Sequence, residues 1–547
     1  MTAYETWLTF DEETRRELES IADPAELEDR FYKDLTFGTG GLRGIIGAGP
    51  NRMNRYTVAR ATRGLAEALL AKEAAPSVAI AYDSRNHSAE FACAAAEVLC
   101  AAGIRTFLFD ALMPTPVLSF AVRYHHCSAG IVITASHNPK EYNGYKVYDR
   151  FGCQLVPHLA DRVIARVNAV TDLKAIPRMP LAQAETQGLL LRIGEETLAA
   201  FLDAARKCSL YDAPHDLRIV YTPLHGTGNV PVRRILAGFD VSVVEAQAKP
   251  DGDFSTVRSP NPEEQDALTL ALAQAADCGA DLVIGTDPDC DRIGVGVLHH
   301  GAYRLLTGNQ TGALLMDFIF RMRGGQLPPH PAVVKTIVTS ELGAAIAQKH
   351  GAEVVQTLTG FKYIGEKICQ WEADGSRSYL FGYEESYGYL AGDHARDKDA
   401  VSSALLIAEM ADYHKKQGRT LIDALDAIYA DYGFYYDKLE TVLLTGRAGA
   451  EKIRSAMAAL REKGRELFGD LRALEDYAQG IGDLPQENVL RFVFRDGSWA
   501  AARPSGTEPK LKFYFSVRGD NEVAAKARQA AISEVLHGVL GGEDSAR

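Results

Sequence analysis

The eight cysteines include no CxxC pair, and they are scattered over 547 residues. That usage argues against a disulfide framework or a zinc site and reads as reduced, partly buried thiols. Long apolar runs are missing too: no segment reaches transmembrane length, and "MTAYETWLTFDEETRRELES" at the start carries acids early with no apolar core of signal length. The expectation is a soluble, cytoplasmic protein with no membrane partner. Positive charge is in deficit, with 59 Lys plus Arg against 72 Asp plus Glu and a formal net charge of −13. A sequence-independent nucleic-acid partner is thereby disfavoured, and any basic residues that matter must be clustered locally.

What is present is a repeat. With 46% hydrophobic residues, the chain can bury several cores, and its length predicts several domains. "PSVAIAYDSRNHSAEFACAAAEVLCAAGIRTFLFD" from 76, "DLRIVYTPLHGTGNVPVRRILAGFDVSVVEA" from 216 and "AVVKTIVTSELGAAIAQKHGAEVVQTL" from 332 each run strand, polar turn, helix, strand. Such βαβ units predict right-handed crossovers and mixed α/β domains with mostly parallel sheets.

After each unit comes another apolar strand that breaks into polar residues: "AGIVITASHNP", "ADLVIGTDPDCDR" and "SYLFGYEESYG". Ligands in open α/β sheets collect beyond the carboxyl ends of strands, so three equivalent loops predict one shared central cleft. Beyond about 437 a helical, charged stretch is followed by "VLRFVFRDGSWAAARPSGTEPKLKFYFSV" and an amphipathic helix. That pattern predicts an α+β domain with an antiparallel sheet. The resulting division is 1–205, 206–313, 314–436 and 437–547.

Asp287, Asp289 and Asp291 alternate, so in extended backbone they would point the same way, and three carboxylates on one side call for a cation between them. Hard oxygen donors at a strand end suit Mg²⁺, whereas Cys290 alone among aspartates is a small filler. An acidic solvated turn is the bland alternative. Ser136 has no GxSxG elbow around it, which counts against a hydrolase triad. A phosphorylated Ser136 would carry about −1.5 to −2 charge and find its counterion on the aspartate loop. His137 and Lys146 would add donors; a simple cap or turn explains the same residues equally well.

Arg503, Ser505, Gly506 and Thr507 combine a guanidinium, hydroxyls and close-approach amides suited to a phosphate dianion, although an ordinary turn also accounts for Pro504 and Gly506. "TFGTGGLRGIIGAGPNRMN" lacks a Walker lysine and the GxGxxG order, leaving Arg43 as an anion donor. Glu384 and Ser386, beside Tyr383 and Tyr387, suit adjacent sugar hydroxyls, or else mark a surface turn. Lys398 adds charge that would hold a phosphate or move a proton.

"TASHNP", "GTDPDCDR", "GYEESYG" and "RPSGTEP", in this order, resemble the α-D-phosphohexomutase superfamily over most of the chain. "FGTGGLRG", "TPLHGTG" and "NGYKVY" are most similar to its phosphoglucomutase and phosphopentomutase branch. The resemblance implies four domains round a central cleft, and interconversion of glucose 1-phosphate and glucose 6-phosphate through phosphoserine 136 and glucose 1,6-bisphosphate. Pentose or mannose phosphates are the alternative substrates. Mg²⁺ would be held by Ser136, Asp287, Asp289 and Asp291. Arg43, His137 and Lys146 would surround the transferring phosphoryl with help from Arg292, and Lys398 would be the general acid/base. Glu384 and Ser386 would hold the sugar, and Arg503, Ser505, Gly506 and Thr507 the non-reacting phosphate. The family's glycines between the aspartates are replaced here by Pro288 and Cys290, which implies a differently shaped loop. A serine phosphomonoesterase and a non-catalytic sugar-phosphate-binding protein are the competing readings.

Overall fold

A computed structural model describes residues 2–38, 40–444, 446–505 and 510–540. They fall into two compact units: 1–307 with 361–382 and 386–418, and 308–360 with 383–385 and 419–547.

The first unit holds two mixed sheets. One contains β1 (Gly41–Ile45), β2 (Ser77–Tyr82), β3 (Arg105–Phe109), β4 (Ala129–Ile133), β5 (Tyr142–Asp149) and β6 (Leu190–Ile193), in the order β1-β5-β4-β2-β3-β6. The other contains β7 (Arg218–Thr222), β8 (Asp240–Val243), β9 (Leu282–Thr286), β10 (Ile293–His299) and β11 (Ala302–Leu306), in the order β11-β10-β9-β7-β8. In both, the βαβ strands pair in parallel, β2 with β3 and β7 with β8. The strand that ends in each polar loop then turns back antiparallel, β4 to β5 and β9 to β10. Every residue of β4 and of β9 is buried, as a strand covered on both faces requires. These two strands are therefore rigid stems for the loops they carry.

In the second unit β12 (Pro331–Thr336) and β13 (Glu353–Thr357) pair in parallel across the helix Glu341–Lys349, completing the third predicted βαβ unit. β14 (Ser378–Glu384) and β15 (Gly388–Ala391) flank the third polar loop, with β15 and residues 378–382 of β14 belonging to the first unit. The C-terminal sheet is antiparallel throughout, in the order β16-β20-β19-β18-β17, from β16 (Phe434–Leu443), β17 (Leu471–Asp476), β18 (Leu490–Phe494), β19 (Trp499–Pro504) and β20 (Lys510–Gly519). Here the expectation of a helical stretch beyond 437 needs correction. "FYYDKLETVL" forms the strand β16 before the helix begins, because β20 supplies a ten-residue antiparallel ladder for its backbone. A buried ion cluster crosses from the third element set to the fourth: Glu341 accepts from Lys335 Nζ at 3.1 Å and from Arg491 Nη2 at 2.6 Å.

Helix packing in the first unit is close enough to need glycine at one point. A Cβ on Gly64, within helix Arg55–Leu70, would lie 2.5 Å from Val167 N and 2.7 Å from its Cα, on helix Pro157–Ala169. Gly538, in the last helix, meets nothing within 4 Å. Gly64→Ala should thus destabilise the protein by about 1–3 kcal/mol despite alanine's better helix propensity. Gly538→Ala should be neutral or slightly stabilising; thermal unfolding of the two variants checks the contrast.

Candidate active site

β4 ends at Ile133, and the chain turns at Ser136, whose φ is +55°. A serine in the left-handed region costs of order 1–3 kcal/mol and persists only when its surroundings hold it there. Ser136 N donates to Thr134 Oγ1 at 2.8 Å. The stronger fastening is Arg85, 3% exposed, in the polar turn after β2. Its Nη2 donates to Ser136 O at 2.6 Å and also to Asn138 O, while Nη1 donates to Pro139 O at 2.9 Å and Tyr142 O at 3.1 Å. Asp83, equally buried, pairs with the guanidinium at 3.4 Å, and the Phe254 ring lies 5.0 Å beneath it. One cation thus fixes four carbonyls of the serine loop.

The aspartate loop joins β9 to β10. Its carboxylates do converge, but by a turn and not by extended alternation: Cys290 N donates to Asp287 O at 2.9 Å, with Cys290 at φ +55°. Pro288 is accommodated because Thr227 donates to its carbonyl through N at 2.8 Å and Oγ1 at 2.9 Å. A Cβ at Gly226 would meet Pro288 Cα at 2.5 Å, so the "HGTG" turn must be bare there. Asp287 Oδ1 accepts from the amides of Asp291 and Arg292, each at 3.0 Å. Asp287, Asp289 and Asp291 are all buried, and one oxygen from each lies within 4.8 Å of the others. Asp289 Oδ1 and Asp291 Oδ1 are buried without a hydrogen-bond partner. Unpartnered hard oxygens in a buried cluster fit a small divalent cation such as Mg²⁺.

The serine reaches this cluster directly, Ser136 Oγ donating to Asp287 Oδ2 at 2.7 Å with His137 Nδ1 3.2 Å away. Two lysines face the aspartates. Lys146, on β5, has Nζ 2.8 Å from Asp289 Oδ2 and 3.5 Å from Asp291 Oδ2. Lys398 Nζ is 3.1 Å from Asp291 Oδ2 and 3.0 Å from Asp397 Oδ1. Thr115 Oγ1 donates to Asp289 Oδ2 at 3.0 Å and Tyr148 Oη to Asp397 Oδ2 at 2.7 Å.

The electrostatics follow from this packing. Burial, then the like charges of Asp289 and Asp291, push the Asp287 carboxyl well above its usual range. Burial also works to raise Asp289, but Lys146 outweighs it and holds that carboxyl low. For Lys146 burial acts to lower the ammonium, and Asp289 with Asp291 reverses the sign, leaving it raised. His137 is held far below an ordinary histidine by burial, then by Arg292 and Arg43, so its ring is neutral. Arg43, on β1, donates to Asn138 Oδ1 at 3.2 Å, and Arg292 pairs with Glu263.

In the third loop Glu384 Oε1 accepts from Gly360 N at 2.9 Å. Ser386 lies in the following turn, and Tyr387 repeats the left-handed tip at φ +62°. Three equivalent loops therefore share one backbone device, at Ser136, Cys290 and Tyr387. In the C-terminal sheet Arg503 Nε donates to Glu487 Oε1 at 2.8 Å and Ser505 N to Lys510 O at 2.8 Å. Gly506 and Thr507 lie outside the described residues. Residue-level reading passed over Arg85, Thr115 and Asp397. The signal for Arg85 was available in "YDSRNH", a polar break at the carboxyl end of a buried strand, like the loops that were singled out.

Residues 34–174, 199–300 and 307–432 match the models described as phosphoglucomutase/phosphomannomutase alpha/beta/alpha domains I, II and III, and 445–533 matches the C-terminal domain of the same set. The chain belongs to the phosphoglucomutase/phosphomannomutase family, within the α-D-phosphohexomutase superfamily, and is an intramolecular phosphotransferase. Among its relatives, a phosphoglucomutase from Staphylococcus haemolyticus is 41% identical over 512 residues, spanning 90% of this chain and 92% of that one. The fold is that of the solved Paramecium pp63/parafusin phosphoglucomutase in an open form, with TM-score 0.72, 18% identity and coverage of 94% and 97% of the two chains. An Aspergillus fumigatus N-acetylphosphoglucosamine mutase, solved with GlcNAc-6P and magnesium, matches with TM-score 0.52, 16% identity and coverage of 97% and 99%. No helix among the described residues is long and apolar enough to cross a membrane.

Arg85 positions the serine loop without touching its hydroxyl. Arg85→Met should lower the phosphotransferase turnover by about 100-fold, the order expected for an ångström-scale misplacement. Steady-state turnover of the variant, set beside an unchanged far-UV circular dichroism spectrum, checks this.

Proposed function

We propose that the chain interconverts glucose 1-phosphate and glucose 6-phosphate, with Ser136 as the phosphoryl carrier and glucose 1,6-bisphosphate as the intermediate. The observation that carries this reading is the 2.7 Å approach of Ser136 Oγ to Asp287 in a buried aspartate cluster faced by two lysines. A serine destined only for structure gains nothing from such surroundings. The 41% identical phosphoglucomutase supports glucose as the sugar. A cytoplasmic location and the division at 205, 313 and 436 belong to the same proposal.

Asp287, Asp289 and Asp291, with the phosphorylated Ser136, would hold Mg²⁺; when bound, that ion supplies charge neutralisation for the phosphoryl oxygens. Arg43, His137, Lys146 and Arg292 surround the group in transit in this reading. His137 Nδ1, 3.2 Å from Ser136 Oγ, is placed to donate a hydrogen bond to that group. Lys398 exchanges a proton with the sugar hydroxyl that attacks or leaves. Glu384 and Ser386 orient the sugar hydroxyls, while Arg503 and Ser505, with Gly506 and Thr507, hold the phosphate that does not react. After the first transfer the bisphosphate reverses its ends, and the other phosphate returns to Ser136.

Intact mass after incubation with glucose 1,6-bisphosphate tests the carrier. The wild type should gain one phosphate and Ser136→Ala none; equal gain by both would sink the mechanism. A phosphomonoesterase would instead release inorganic phosphate from glucose 1-phosphate faster than it isomerises it.

Substrate choice has its own measurement. Turnover of glucose 1-phosphate should exceed that of mannose 1-phosphate and ribose 1-phosphate by about tenfold or more, the scale of one well-read hydroxyl. Equal turnover of all three would overturn the assignment of glucose.

A further inference from the structure

Cys208, His394 and Asp399 form a second constellation in the first unit. Cys208 Sγ lies 3.7 Å from His394 Nδ1, and the opposite ring nitrogen, Nε2, is 2.7 Å from Asp399 Oδ2. A thiol, an imidazole in reach of it and a carboxylate orienting the ring from the far side is the arrangement that activates a nucleophile. Asp399 is fully buried, and its other oxygen accepts from Val401 N at 2.8 Å, so the carboxylate is pinned. Burial acts to lower the His394 imidazolium, but the bond to Asp399 outweighs it and raises the ring to about 10. Cys208 as a residue is half-buried. Gly392, at φ +78°, passes so close that a Cβ there would stand 2.8 Å from Cys208 Sγ, so only a bare backbone lets the thiol sit beside His394.

The other cysteines lack this setting. Cys100, Cys127, Cys153 and Cys290 are buried, and burial raises each thiol. Cys93 and Cys369 are raised by burial as well. Cys278 is exposed, but its Sγ has only a backbone carbonyl, Ala275 O, at 3.8 Å. Among the described residues no other cysteine has a histidine nitrogen in reach.

We propose that Cys208 is a modification site, a peroxide-reactive thiolate maintained by His394 and Asp399. His394, protonated on both ring nitrogens, holds the thiolate as an ion pair once the thiol proton has gone to water. The thiolate then attacks one oxygen of hydrogen peroxide, so that an S–O bond forms as the O–O bond breaks. Sulfur is oxidised by two electrons to the sulfenic acid, and the departing hydroxide takes the proton from His394 to leave as water.

The test uses the full chain, dilute hydrogen peroxide and dimedone, with adducts located by peptide mass spectrometry. Cys208 should be labelled at least about tenfold faster than any of the other seven cysteines, and His394→Gln should slow that labelling at least about tenfold. Equal labelling of another cysteine, or an unchanged rate in the variant, overturns the proposal. If His394→Gln does not fold, the pH profile of Cys208 alkylation by iodoacetamide in the wild type decides. A midpoint well below about 8.5 supports an activated thiolate, and one at or above that ordinary thiol value refutes it.

Discussion

Three carboxylates buried within 4.8 Å of one another repel, and the rest of the first unit is arranged to tolerate that repulsion. Asp287 spends one oxygen on two amides of its own loop and shares the other with Ser136. Asp289 and Asp291 lean on Lys146 and Lys398. Each partner comes from a different stretch of chain, the serine and Lys146 from the first sheet, the aspartates from the second and Lys398 from beyond β15. Unbalanced charge at this depth would be costly, so the two sheets are held together by their chemistry as much as by their apolar faces.

That arrangement explains the pairing of lysine with aspartate before any substrate arrives. The ammonium groups neutralise the cluster in the free protein, and a divalent cation together with a phosphoryl dianion would redistribute the same charges without adding a large net sum. A site built this way changes its charge little over a cycle of transfer, which keeps reorganisation small.

Much of this was legible in the sequence, for identifiable reasons. The βαβ order and the three polar breaks are local patterns, and buried strands such as "AGIVI" and "LVIGT" announce themselves by uninterrupted hydrophobicity. The aspartate spacing was legible as a cluster, yet the turn that brings the groups together depends on contacts from Thr227 and Gly226 some sixty residues away, which spacing does not encode. Arg85 escaped notice because its partners are main-chain carbonyls, and a carbonyl has no signature in a residue string. β16 reads as part of a helical stretch because charged residues at 437, 438 and 440 leave it without a clear apolar face; the ladder to β20 decides the matter.

The fastening of the serine loop has one more consequence. Arg85 grips carbonyls of Ser136, Asn138, Pro139 and Tyr142, and none of their side chains. Much of the loop's shape is thus encoded outside the loop, in a residue that follows the neighbouring strand β2. Apart from Thr134 and Asn138, which hold the Ser136 amide and Arg43, the loop's side chains carry little of that duty, so its lettering can drift toward new chemistry while its contour stays fixed.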